Sequence, residues 1–419
     1  MTRDILILGA TGFTGQLIAR YLVNHPQRAS SPFNVTLGGR SRDKLNRVAK
    51  SLGLSTDAGS VVVVDLSDYS TVERAVVRAK VVINAVGPYW KFGDFVVRAC
   101  ARHGVHYVDI TPEPHFIADI VAKYDFMAFK TNALVIPACG FDSIPPDIAV
   151  FVANRYVKAV LGSDTSIEDS TTAYDVEGGF SGGLIHSIMS FVEDPGKTLI
   201  KSAADYGLRQ PHGPPSRLPR IVYKLPYDVS TSWYGTIWPQ RVINRQTVHH
   251  SWSLFERSRD AHPADAYGDK FRYDECLRSP GPISALFVGF SICLFVVAIL
   301  ISPIRWVLKR ILPQSGIGPA SDKGHFEVVN ITKAGPLTVK TTVRGEGEFA
   351  YYATARMTSE AALAILLQFN ELPYRKTGGG GVLTPAAALG DVLIRRLEDF
   401  AGVTISSESI KTGETKKTR

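Results

Sequence analysis

The chain has 419 residues, 45% of them hydrophobic and 21% charged, which is long and apolar enough for two packed domains and excludes a mainly disordered chain. The net charge of +8 is spread thinly, without an arginine-rich run interleaved with aromatics, so nucleic acid is not an expected partner. Four cysteines, Cys100, Cys139, Cys276 and Cys293, form no CxxC pair and no zinc-spaced cluster, so no metal site is expected and a reducing, intracellular compartment fits.

The first strand, Ile5 to Leu8, runs directly into Gly9-Ala10-Thr11-Gly12-Phe13-Thr14-Gly15, and a helical pattern follows. That is the order of a phosphate-binding βα turn: glycines let the backbone approach a pyrophosphate, and the helix N-terminus offers N–H groups to it. The apolar start is too short for a signal peptide and leaves no room for a transit peptide. A second strand from Phe33 to Leu37 ends near Arg40-Ser41, and a helix over Asp43–Leu52 follows. Val61 to Val64 reads as a third strand buried on both faces, closed by Asp65. Ser70 and Glu73 have capping-box spacing for the next helix. Val81–Ile83 is a fourth strand leading into Asn84-Ala85-Val86-Gly87-Pro88-Tyr89, followed by a helix over Asp94–His103. A fifth strand, His106–Ile110, precedes Thr111-Pro112-Glu113-Pro114 and a helix over His115–Phe129. A sixth, Ala133–Ile136, ends at Cys139-Gly140-Phe141-Asp142-Ser143. Six strands alternating with helices over about 140 residues predict an α/β fold with a doubly wound parallel sheet.

The remainder is less regular. Ser166–Tyr174 reads as a strand, Gly178–Gly183 as a turn before a helix at Leu184–Phe191, and residues 205–275 as loops and short strands. From Ser279 to Ile304 there is no charged residue, and Ile283–Ile301 is almost wholly apolar. As a helix this run reaches roughly 28 Å, close to the hydrocarbon thickness of a bilayer. Arg305, Trp306, Lys309 and Arg310 give it a basic, aromatic edge. A span would separate residues 1–278 from 305–419, although the later segments complete the second domain. A monotopic insertion into one leaflet, broken at Gly289 or Ser302-Pro303, is therefore expected. Phe326–Val343 and Ala350–Arg356 alternate like antiparallel strands, Glu360–Leu367 and Ala386–Phe400 read as helices, and Lys411–Arg419 as a basic tail.

The chemistry concentrates at the strand ends. Gly9, Thr11, Gly12, Phe13, Thr14 and Gly15 are expected to hold the pyrophosphate. Where NAD binders carry an acidic residue after the second strand, this chain has Arg40 and Ser41, which suit the 2′-phosphate of NADP(H). Asp65 would sit near the adenine, and Asn84, Ala85, Gly87 and Pro88 fall where open α/β sheets place ligands. Tyr89, Thr111, Glu113, Asp142 and Ser143 share that edge, with Asp142, Glu113 and Tyr89 the candidate acid/base groups. No tyrosine has lysine four residues on, which argues against short-chain-dehydrogenase chemistry. Gly179-Phe180-Ser181-Gly182-Gly183 matches a nucleophile elbow by letter, with His186 or His212 as bases, but the glycine-rich turn makes that match cheap.

Taken together, Gly9 to Gly15, Gly39-Arg40, Asn84 to Tyr89, Tyr107-Val108-Asp109 with Glu113-Pro114, Gly140 to Asp147, Gly318-Pro319 and Gly379-Gly380 to Pro385-Ala386 resemble the saccharopine dehydrogenase-like oxidoreductases. That family includes bacterial trans-acting enoyl reductases and eukaryotic members on lipid droplets and other membranes. The resemblance implies an NADP-binding Rossmann domain at 1–147 and a second α/β (α+β) domain at 148–400. The second domain would carry a membrane-associated insertion at 279–312 and a helix at 386–400, with a strand remnant and basic tail at 401–419. Pro112 departs from the glycine common in the family, and a proline fixes φ and removes an N–H. A saccharopine-like substrate would want an arginine-lined cleft, which is not legible. The expected protein is an intracellular NADP(H)-dependent oxidoreductase acting on a lipid-like substrate, in lipid or glycolipid metabolism. It would bind a lipid droplet, the endoplasmic reticulum or another organelle membrane through 283–301, and a homodimer is compatible with this reading. The rival reading is a non-catalytic, nucleotide-binding membrane adaptor.

Overall fold

The computed structural model describes residues 3–57, 59–177, 220–228, 230–311, 321–374 and 379–410. Gly178–Gly183, Ser181, the helix at Leu184–Phe191, His186, His212, Gly318-Pro319 and the tail Lys411–Arg419 lie outside them.

Six early strands form a parallel sheet: β1 (Arg3–Leu8), β2 (Val35–Gly39), β3 (Val61–Val63), β4 (Ala79–Asn84), β5 (His106–Asp109) and β6 (Leu134–Ile136). Side chains alternate across it. Ile5, Ile7, Leu37, Val81 and Ile83 face one core, and Leu6, Leu8, Val82, Tyr107 and Val135 face the other. The helices between these strands are α1 (Phe13–Val23), α2 (Gln27–Ser30), α3 (Arg42–Ser51), α4 (Tyr69–Val76), α5 (Tyr89–Phe92), α6 (Asp94–His103) and α7 (Pro114–Thr131). Two local expectations change. β3 is an edge strand, so Val63 is exposed rather than buried on both faces. The capping box at Ser70 and Glu73 is absent. Asp68 caps α4 by accepting from the Ser70 N–H at 2.9 Å, while the Glu73 carboxylate is engaged by Tyr69 and His103.

After α8 (Ile144–Leu161) the chain builds a second, mixed sheet. Its strands are β7 (Asp169–Val176), β8 (Tyr223–Pro226), β9 (Ser232–Ile237), β10 (Arg272–Ser279), β11 (His325–Ala334), β12 (Leu337–Glu346) and, beyond the short β13 (Gly381–Val382), β14 (Val403–Ser409). The order is β14-β12-β11-β7-β10-β9-β8. β13 belongs to the first sheet. It pairs in parallel with β6, Gly381 opposite Leu134, and so completes seven strands. The first sheet therefore draws on residues far beyond 147.

Three elements differ from the sequence pattern. Residues 205–275 contain a 17-residue helix, α9 (Arg241–Arg257), buried on nearly every side and so without an amphipathic stripe. The apolar run folds as α10 (Pro282–Leu300), uninterrupted at Gly289, and breaks at Ile301 before α11 (Ser302–Ile311). Ala350–Arg356 is not a strand. A π-turn over Phe349–Ala353 opens α12 (Thr354–Leu367), because the Glu348 carboxylate gathers the N–H groups of Ala350, Tyr351 and Tyr352. α12 and α13 (Pro385–Phe400) then join α1 and α8 in the larger core.

Candidate functional site

The turn after β1 is shaped by three glycines. Gly9 has φ +82°, a conformation that side chains rarely adopt, and a Cβ there would meet the Ala85 carbonyl oxygen at 2.9 Å. A Cβ on Gly15 would lie 2.2 Å from the Gly9 oxygen, so only glycine lets α1 press this close to the turn. The turn is fixed by Gly12 N–H donating to Gly9 O at 2.9 Å and by the Gln16 amide donating to Thr11 O at 3.1 Å. Gly12 caps α1 without a side chain, which leaves the first-turn N–H groups to an anion.

Two cavities meet over this turn. One, of about 510 Å3, is lined by Gly9, Thr11, Gly12, Arg40, Asp65 and Ala85 among others. It lies at the C-terminal ends of β1, β2, β3 and β4. The Ser67 hydroxyl and N–H hold the Asp65 carboxylate below its usual range, and the Arg40 charge adds to this. The other, of about 210 Å3, is lined by Thr14, Tyr89, Thr111, Asp142, Trp238 and Tyr351 among others, and Ala85 and Gly87 border both. The turn contributes to both, Gly9, Thr11 and Gly12 to the larger cavity and Thr14 to the smaller. The glycine cradle, the bare helix end and the exposed Arg40 fit NADP(H).

Several expected residues act behind the cavity walls. Asn84 is buried, donates to the Tyr107 hydroxyl at 3.2 Å and accepts from the Val86 N–H at 3.2 Å, so it shapes the loop after β4. Pro88 follows a cis peptide bond in that loop. Phe13 packs edge-on against Tyr351, ring centres 5.1 Å apart, and so links α1 to the π-turn. Ser41 caps α3. Glu113 spends both carboxylate oxygens on the N–H groups of Tyr89 and Trp90, at 2.9 and 2.8 Å. That is a capping role, and it holds α5 in place. Tyr89 lines the smaller cavity, but its hydroxyl donates to Asn84 O at 3.0 Å. Burial, with Asp109 and Glu113 nearby, pushes its pKa well above the usual value. Neither is a ready proton donor.

Asp142 differs. Its carboxyl borders the cavity, accepts from the Gln240 amide at 3.2 Å, and is pushed up to about 7 by burial. The side chain is only partly covered, because one edge faces the open cavity while protein surrounds the rest. Among the described lining residues it is the sole carboxylate, and none is Arg, Lys or His.

Other contributors carry no legible sequence signal. Trp238, Gln240, Phe349, Ala350, Tyr351 and Thr354 reach the site from distant segments. The Thr354 hydroxyl accepts from the Phe141 N–H at 3.0 Å, and Thr358 donates to Cys139 O at 2.6 Å, so α12 locks the turn that presents Asp142. Asp109, buried and itself pushed up to about 7 by burial, ties two loops together. It accepts from the N–H groups of Thr111 and Ala138 at 2.9 and 2.8 Å and from the Tyr107 hydroxyl at 2.7 Å. No group of three or more potential metal ligands occurs among the described residues.

A glycine cradle at the strand ends of a parallel sheet, with a second cavity beside it, is the arrangement of a dinucleotide-binding protein. Residues 5–128 match the family model of the saccharopine dehydrogenase NADP binding domain. A putative trans-acting enoyl reductase of Mycobacterium tuberculosis is 32% identical over 96% of this chain and 97% of its own length. The trans-acting enoyl reductase of Mycobacterium leprae is 30% identical over the same shares. An apo saccharopine dehydrogenase (L-Glu forming) from Saccharomyces cerevisiae aligns over 97% of this chain and 100% of its own, with 14% identity and a TM-score of 0.49. The chain belongs to the saccharopine dehydrogenase-like oxidoreductases, and its cofactor is NADP(H).

Proposed function

We propose that this protein uses NADPH to reduce the double bond of a lipid-linked enoyl substrate at a membrane or lipid-droplet surface within the cell. The observation that carries this reading is the smaller cavity, where one carboxyl near neutrality faces Trp238, Phe349 and Tyr351 with no cationic side chain among the described lining residues. Such a wall suits an acyl group and gives no partner to a polycarboxylate amino acid. The relatives named as enoyl reductases support the same choice.

When held at this site, NADPH would supply the hydride for the β-carbon. Gly9, Thr11, Gly12 and Thr14 would hold its pyrophosphate and Arg40 its 2′-phosphate. The Asp142 carboxyl gives its proton to the α-carbon and is reprotonated from solvent, with Gln240 holding it in place. A keto group fits the same cavity, the proton then going to oxygen. Because Asp142 must be protonated, the rate should fall as pH rises through about 7. Membrane contact is supported by α10, the one helix among the described residues long and apolar enough to cross a bilayer.

The test is NADPH oxidation with long-chain enoyl and β-keto thioesters. Asp142→Asn should lower kcat by roughly 10²–10⁴-fold while NADPH affinity stays within about twofold. An unchanged kcat removes Asp142 from the chemistry. Tight NADPH binding without turnover of any acyl substrate favours the adaptor reading.

A further inference from the structure

Behind the smaller cavity lies a buried carboxyl that the reduction does not use. Glu275, in β10, is wholly buried, and among the described residues no cation pairs with it. Arg241 acts on it only at a distance and binds Asp274 instead, Nε to Oδ1 at 2.5 Å. The Glu275 oxygens are engaged by neutral groups. Oε1 accepts from the hydroxyls of Tyr273 and Tyr174, at 2.6 and 3.1 Å, and Oε2 accepts from the Asn244 amide at 3.1 Å. A carboxyl buried without a cation destabilises a fold relative to a neutral group of the same size, so packing alone gives no reason for one here.

Two of these partners also touch the turn that lines the cavity. The Tyr174 hydroxyl lies 3.4 Å from Asp142 O, a second acceptor for its one hydrogen. Asn244 donates to Tyr174 as well, at 3.0 Å, so its nitrogen is turned towards Glu275 and its oxygen accepts from the Ser143 hydroxyl at 3.4 Å. Gln240, Asn244 and Thr247 follow at intervals of four and three and so share one face at the start of α9. Gln240 donates to the Asp142 carboxyl at 3.2 Å, and Thr247 donates to Ser143 Oγ at 3.5 Å. Asp142 and Ser143 both line the cavity, and Tyr174 fixes the peptide unit between them.

We propose that Glu275 is a positioning residue for the reduction: when neutral it leaves the Tyr174 hydrogen to the Asp142 carbonyl and so holds the Asp142–Ser143 turn, and when it ionises it withdraws that hydrogen and loosens the turn. The proposal rests on the reductase reading above. The count of hydrogens carries it. A carboxylate has none of its own and draws on both tyrosines. A neutral carboxyl supplies one, and each tyrosine has another acceptor, Asp142 O for Tyr174 and Thr172 Oγ1, at 2.9 Å, for Tyr273. The groups facing Glu275 are Tyr273 and Asp274 from β10, Tyr174 from β7, and Arg241 and Asn244 from α9, with Asp142 beyond Tyr174. Arg241 and the Tyr223 hydroxyl, at 2.9 Å, engage Asp274. Burial holds Tyr174 and Tyr273 well above the usual tyrosine value, whereas it brings Glu275 to about 8, one unit above Asp142.

The experiment compares the full chain with Glu275→Gln, whose amide can donate to the tyrosines and accept from Asn244 as the neutral carboxyl does, but does not ionise. Hydrogen exchange of the peptide carrying Phe141 to Ile144 is followed by mass spectrometry at pH 6.5 and pH 9, without substrate, with a β1 peptide as the control for global opening. The two proteins should exchange alike at pH 6.5, and the native chain should exchange about threefold faster or more at pH 9. Adding Tyr174→Phe to both, which keeps the ring that stacks on Trp238 and removes the hydroxyl, should abolish that excess. Equal exchange at pH 9, or an excess that survives Tyr174→Phe, overturns the proposal. In NADPH oxidation with an enoyl thioester, kcat/KM above pH 8 should fall towards about 100-fold per pH unit in the native chain, where two groups ionise, and about 10-fold in Glu275→Gln, where Asp142 alone does. Equal slopes overturn the link to the reduction. A failure of the reductase reading registers separately, as no turnover of any acyl substrate beside an unchanged exchange difference.

Discussion

On the proposed reading, Arg40 is the side chain that would distinguish NADPH from NADH. It is exposed at the mouth of the larger cavity, at the end of β2, where a planar guanidinium can grip a phosphate with two charge-assisted bonds. Arg40→Ala should weaken NADPH binding by roughly 10–100-fold and leave NADH almost unchanged, measured by fluorescence titration of both. Equal losses for the two nucleotides would move the phosphate contact elsewhere. Single residues were legible where the backbone requires a type at a spacing, as in Gly9 and Gly15. They were not legible where a polar group serves the backbone. Glu113 and Asn84 lie at strand ends like ligand-binding residues, and only their hydrogen bonds reveal a cap and a loop brace.

Elements of the first 136 residues were legible where strands are continuous apolar runs, buried on both faces, and helices carry one buried face, whereas the four-residue helices α2 and α5 were too short to show a pattern. α9 was not legible because Asn244, Gln246, His250 and Ser251 are as buried as Val248 and Trp252, which removes the contrast that periodicity needs. Two late helices are joined to the start of the chain by a buried charge cluster. Glu360 in α12 accepts from Arg396 Nε of α13 at 2.8 Å and from the Tyr21 hydroxyl of α1 at 2.6 Å, with His25 at 2.9 Å. Arg396 also donates to Gln27 and Gln368, at 2.8 and 3.0 Å. Glu360→Ala leaves that guanidinium buried without its counter-charge and should cost about 3–5 kcal/mol in urea unfolding. A loss below about 1 kcal/mol would mean that water or another anion replaces the carboxylate there.

For the whole molecule, pH is a sensitive variable. Glu275 sits under the second sheet among Tyr273, Asn244 and Tyr174, and burial outweighs their hydrogen bonds and pushes its carboxyl up to about 8. The folded state therefore keeps a proton that the unfolded chain releases near the ordinary carboxylate value. Its contribution is complete below that ordinary value and is lost as pH rises through about 8. Over this window the slope is up to about 1.4 kcal/mol per pH unit. Glu275→Gln should flatten the fall in Tm across that window, and parallel Tm profiles for the two proteins would refute the assignment. Buried His106 and His250, both held down to about 4 by burial, work in the opposite sense, adding stability as pH rises from about 4 to 6.5. Long-range assembly was the least legible level. Nothing local in Gly381–Val382 announces a partner at Leu134–Val135.

That pairing has a consequence for how the protein is made. The edge of the nucleotide-binding sheet at β6 stays open until residue 381 has left the ribosome, some 245 residues after β6 itself. Through most of synthesis the nascent chain thus carries β6 paired to β5 on one side with its other edge open, and α12, which covers one face of β4 and β5, is also missing. A fragment ending near residue 150 should accordingly be insoluble or held by chaperones when expressed alone. The same fragment co-expressed with residues 321–410 should be rescued into the soluble fraction. Solubility of the short fragment by itself would show that the early sheet can close without the late strand.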